Sequence, residues 1–132
     1  MQILFYSPSG NESGDRLKQT LDEVMPGGRV EAFRHVNGLI QRLRMPSPDL
    51  ELLIFMPANR HELFAASALL AEMRDLKVVL VLPDREDETI AIAHRLRPRF
   101  LTYANGDYTE VREVLRKMLK DSPKIQPAAH SS

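Results

Sequence analysis

A few residues in this chain have side chains and spacings suited to chemistry. The first is the run Tyr6-Ser7-Pro8-Ser9-Gly10-Asn11-Glu12. Hydroxyls and backbone N–H groups ahead of a helix suit a phosphate, and the same residue types also make a plain turn and helix start. His61-Glu62-Leu63-Phe64-Ala65 opens like the His-Glu-x-x-His zinc motif, but Ala65 stands where the second imidazole must be, so no zinc site follows. His35, His94 and His130 share no ligand spacing with His61 and read as solvent-facing side chains. Asp84 follows an apolar run and could act as an acid or base; as a lone Asp ahead of Asp87 it reads as a helix N-cap. The chain has no Cys, which removes thiol catalysis, thiolate metal sites and disulfides.

These residues are positioned by an alternating pattern. Ile3–Ser7, Leu50–Met56 and Lys77–Leu82 are short, nearly continuous apolar runs, as strands covered on both faces read. Arg29–Phe33 and Arg99–Tyr103 are weaker and belong nearer a sheet edge. Between them, Leu17/Leu21/Val24/Met25, Val36/Leu39/Ile40/Leu43, Leu63/Ala66/Leu70/Met73 and Val111/Val114/Leu115/Met118/Leu119 keep helical spacing, and a shorter helix is expected over Asp87–Arg97. Pro26-Gly27-Gly28, Pro46 with Pro48, and Pro98 end the first, second and fourth. Asn59, with Glu62 three residues on, marks the start of the third; Asp107 and Glu110 mark the start of the fifth. The order is strand then helix, five times. Right-handed crossovers then build an α/β fold, a doubly wound three-layer αβα sandwich on a parallel sheet. One domain over 1–120 and a loose tail over 121–132 are expected.

Eighteen basic against eighteen acidic residues leave no net charge, which argues against a nucleic-acid or anionic-membrane partner. No apolar run approaches the roughly 18 residues of a membrane span, and the N-terminus lacks the pattern of a signal peptide, so the expected location is the cytoplasm. Ligands of open α/β sheets bind beyond the carboxyl ends of the strands. Here those ends are Ser7–Gly10, Met56–Asn59, Leu82–Asp84 and Tyr103–Asn105, a sparse set for chemistry.

Pro48–Pro57 (PDLELLIFMP) resembles the third strand of two-component receiver domains, commonly PDLVLLDxxMP. Asn37-Gly38, Lys77–Asp84 and Phe100–Leu119 also fall at receiver spacing. The resemblance implies a flavodoxin-like sheet of order 2-1-3-4-5. It also implies a degenerate phosphorylation site. The family's acidic pair matches Ser7 and Pro8, its phosphoacceptor Asp matches Ile54, its Thr or Ser matches Leu82, and its Lys-Pro matches Tyr103-Ala104. Phosphoryl transfer needs the nucleophilic carboxylate, and Mg²⁺ needs hard oxygen ligands; neither demand is met at those positions. The implied function is a stand-alone, non-enzymatic signalling protein without a metal or cofactor, acting by protein–protein interaction. As in receivers, its partner or second copy would dock on the fourth helix, fifth strand and fifth helix, through Ile92, Phe100, Tyr103, Tyr108 and Arg112. A second resemblance, of Ser7-Pro8-Ser9-Gly10-Asn11 to the phosphate loop of flavodoxins, implies an FMN-binding electron carrier instead. An interaction subunit of the same fold, outside any phosphorelay, is the third reading.

Overall fold

The computed structural model describes residues 2–25, 30–104 and 108–121. Five strands alternate with five helices: β1 (Gln2–Tyr6), α1 (Glu12–Val24), β2 (Val30–Phe33), α2 (Val36–Leu43), β3 (Leu50–Phe55), α3 (Arg60–Glu72), β4 (Lys77–Leu82), α4 (Asp87–Arg95), β5 (Phe100–Tyr103) and α5 (Thr109–Asp121). All strand pairs are parallel, and the order is β2-β1-β3-β4-β5. The α/β sandwich and its expected strand order are therefore present. The Pro26-Gly27-Gly28 stop, Arg29, Asn105, Asp107, His130 and the tail from 122 lie outside the described residues.

Alternation along each strand divides the core in two. Leu4, Tyr6, Leu53, Phe55, Leu80 and Leu82 face one way and pack under α2, α3 and α4, on Leu39, Leu63, Ala66 and Ala93. Ile3, Phe5, Ile54, Met56, Val79 and Val81 face the other way, under Leu17 and Leu21 of α1 and Val111 and Leu115 of α5. Successive side chains point to opposite faces, so strands apolar at every position need helices on both sides. The edge strands β2 and β5 are only half-buried, as their mixed composition requires.

Two strand ends run one residue short of the sequence reading. Ser7 and Met56 lie just past β1 and β3, yet their N–H groups still donate to Phe33 and Tyr6 carbonyls, at 3.2 and 2.9 Å. The Asn11 and Asn59 side chains cap α1 and α3, accepting from Gly14 N (3.1 Å) and Glu62 N (3.0 Å). Asp84 is not the N-cap expected of it. Its carboxylate accepts from Glu86 N (3.0 Å) in a local turn, and Glu86 holds the cap position without a side-chain bond. The turn places Asp84 two residues too early to reach the helical N–H groups.

Candidate functional site

The switch in strand order falls at β1, whose neighbours are β2 and β3, so the crevice to inspect is the carboxyl end of β1 and β3. It is filled. Ser7 and Met56 are each 1% exposed, and the first turn of α1 lies directly on Ser7. A Cβ built on Gly14 would stand 2.7 Å from Ser7 Cβ and 3.6 Å from Met56 Sδ, so only glycine lets the helix approach this closely. Ile54, one residue before the end of β3, is fully buried between Phe5 of β1 and Val79 of β4. The side chain sharing its face at the strand mouth is Met56. An isolated Gly within a helical pattern is the signal that could have located this contact.

The five positions implied to be a degenerate site do not converge. Ser7 and Ile54 belong to the α1/α5 side, Leu82 and Tyr103 to the α2/α3/α4 side, and Pro8 is half-buried beyond β1. Among the described residues no group of three His, Asp or Glu side chains is placed to hold a metal ion. The Ser7–Asn11 loop turns through Ser9 and Gly10, the latter at φ +69°, which glycine adopts without strain. Asn11 then caps the helix and Ser7 faces it, which leaves the loop acting as turn and cap.

Polar contacts around the rim are already paired. Buried Tyr6 donates its phenol to Glu62 Oε1 at 2.8 Å, and the same oxygen accepts from Ala58 N at 2.8 Å. Burial raises the Tyr6 pKa well above its ordinary value, and the neighbouring Glu62 carboxylate pushes the same way. On the other side of the sheet, Ser13 of α1 bonds both the Tyr108 hydroxyl and the Ala104 carbonyl. Tyr108 is buried at φ +58°, a conformation costly for a residue with a Cβ, and burial raises its pKa as well.

These contacts redistribute the expected docking residues. Tyr108 and Arg112 point at α1, where Arg112 pairs with Glu23 at 2.7 Å. Phe100 packs on the α1/α5 side of the sheet, whereas Ile92 and Tyr103 pack on the other. The five are thus divided between the two sides of the edge strand β5, with Tyr108 buried. What is open at this end is a shallow groove of about 380 Å³ lined by Pro83, Asp84, Arg85, Tyr103 and Ala104. Arg85 lies across the Tyr103 ring, its guanidinium carbon 3.8 Å from the centroid. Arg85 opens the charge run Arg85-Glu86-Asp87-Glu88, and a charge run carries no information about which ring lies across the sheet edge.

Acidic residues occupy the first turn of four of the described helices (Glu12 and Asp15, Glu62, Asp87 and Glu88, Glu110). They offset the positive ends of the helix dipoles and give the carboxyl end of the sheet an acidic rim, unfavourable for a phosphate.

Three solved structures share this architecture. A CheY-like response regulator from Mesorhizobium loti superposes with a TM-score of 0.64 at 15% identity, over 86% of this chain and 94% of its own. A two-component response regulator from Legionella pneumophila gives 0.64 at 12% identity, over 87% and 95%. The phosphorylated cyanobacterial phytochrome response regulator RcpA gives 0.60 at 12% identity, over 90% and 91%. The fold is that of response-regulator receiver domains. No family model and no curated protein matches the sequence. Among the described residues no helix is long and apolar enough to cross a membrane.

Proposed function

We propose that this chain is a receiver-fold signalling protein that acts in the cytoplasm by binding other proteins, takes up no phosphoryl group and catalyses no reaction. The observation supporting this reading is the filled crevice: Ser7, Met56 and Gly14 close the mouth between β1 and β3, with Ile54 beneath them. A nucleophilic carboxylate and a hydrated Mg²⁺ need room and hard oxygen ligands there, and these side chains offer neither. A partner would meet the groove at the ends of β4 and β5, with the Tyr103 ring and the Arg85 guanidinium as its anchors.

The test is incubation with acetyl phosphate and Mg²⁺, followed by intact mass and amide NMR. No phosphoryl adduct and no Mg²⁺-dependent shift at Ser7, Ile54 or Met56 are expected. A stoichiometric adduct overturns the reading. For the docking groove, an affinity capture with the chain and with its Arg85→Ala/Tyr103→Ala variant is expected to differ by the loss of one abundant partner.

A further inference from the structure

The helix α3 is apolar on both faces. Its inner face carries Leu63, Ala66 and Leu70, all buried in the core. The middle of its outer face carries Phe64, 63% exposed, with Ala65, Ala68 and Ala71 also exposed, and His61 and Glu72 are exposed at its two ends. The other described helices turn mostly polar or charged residues outward: Asp15, Arg16, Gln19 and Asp22 on α1, Glu113, Arg116 and Lys117 on α5. A helix with apolar stripes on both its inner and outer sides is normally covered on both. We propose that the outer face of α3 is the two-fold interface of a homodimer, with the two α3 helices packed antiparallel.

Shape and charge both select a second copy. Phe64, Ala68 and Ala71 follow one another at i, i+4 and i+7 on one stripe, about 10 Å long at 1.5 Å per residue. The stripe thus has a large knob at one end and a hollow made by two small side chains at the other. An antiparallel two-fold sets each Phe64 into the hollow beside the partner's Ala71, so that one patch serves as both halves of the contact. Residue 68, near the middle, then lies close to the axis. Charge fixes the direction. At the start of α3, Arg60 is outnumbered by Glu86 and Glu88, which pair with it at 3.7 and 2.8 Å. At its end, Arg74, Arg95 and Arg97 line a groove of about 290 Å³ between α3 and α4, and although Glu72 and Asp75 flank Arg74, basic side chains outnumber acidic ones there. Antiparallel packing lays the acidic end of this layer over the basic end of the other copy's; parallel packing would oppose like with like.

The absence of Cys gives a clean test by disulfide trapping. Analytical ultracentrifugation of the whole chain is expected to show a concentration-dependent monomer–dimer equilibrium. Phe64→Glu should abolish the dimer and the concentration dependence of the thermal midpoint while leaving the circular dichroism unchanged, since this side chain is solvent-facing in the monomer. Ala68→Cys should give a disulfide-linked dimer on mild oxidation, and Gln19→Cys, exposed on α1, should not. A chain that stays monomeric at all concentrations overturns the proposal, as does a dimer that survives Phe64→Glu. A dimer lost in Phe64→Glu but never trapped through residue 68 overturns the antiparallel arrangement.

Discussion

The Tyr6 hydroxyl, at the carboxyl end of β1, donates to Glu62 in the first turn of α3 at 2.8 Å, joining two elements 56 residues apart in sequence. The bond lies on the rim where a receiver-fold protein would present its working loops. Glu62 also accepts from Ala58 N, and Asn59 caps Glu62 N, so one carboxylate holds both the start of α3 and the end of β1.

Tyr6→Phe should therefore cost about 1.5–3 kcal/mol in a urea unfolding experiment, the range for a hydrogen bond to a charged group. The ring itself, tilted against Phe55 at 5.4 Å, is kept. A change within ±0.5 kcal/mol would show that the bond is not formed in solution.

The same burial predicts an alkaline instability. Tyr6 and Tyr108 have folded-state pKa values raised above the ordinary value near 10. Raised values favour the protonated folded state, so this contribution is fully present below about pH 10 and is lost as pH climbs toward the folded values. Stability measured by urea midpoint should thus fall steadily above about pH 10. Tyr6→Phe should flatten that fall; an unchanged slope would remove Tyr6 from its cause.

Gly14→Ala should destabilise the fold, against the usual gain of about 1 kcal/mol for replacing a helical glycine. The added Cβ would sit 2.7 Å from Ser7 Cβ, both on backbone that cannot easily move, and overpacking of this kind costs about 1–3 kcal/mol. Ser7→Gly removes the opposing atoms and should rescue the variant in a double-mutant cycle. Absence of coupling between the two would mean that α1 does not rest on Ser7.

Much of the fold was legible in the sequence because burial on both sheet faces leaves unbroken apolar runs such as Leu52–Met56 and Val78–Leu82. Asn59 announced its helix for a local reason too, since the cap lies only three residues from the N–H it serves. The site was legible only in part. That Ser7 and Ile54 face α1 while Leu82 and Tyr103 face α3 and α4 follows from pleat phase, which a resemblance of motifs does not fix. The Ser13–Tyr108 contact spans 95 residues, and no periodicity reports on such a distance. The outer face of α3 went unread because its alanines fit the same helical spacing as the core stripe.

Ile54→Asp tests whether a carboxylate alone would let this crevice take up a phosphoryl group. If the chain lacked only the carboxylate, supplying it at the position matched to the receiver phosphoacceptor would restore phosphorylation. The structure leads to the opposite expectation. Ile54 is fully buried between Phe5 and Val79 and beneath Met56, with α1 and α5 closing that face of the sheet. The described residues packed on that face are apolar, so an ionised carboxylate there would be an uncompensated buried charge, at a cost of about 3–5 kcal/mol. The variant should have a lower urea midpoint, should recover part of that loss as the pH is taken below the carboxylate range, and should form no phosphoryl adduct with acetyl phosphate and Mg²⁺. A stable variant that becomes phosphorylated would mean that the crevice opens in solution, and would remove the closed mouth of Ser7, Gly14 and Met56 as support for the proposed function.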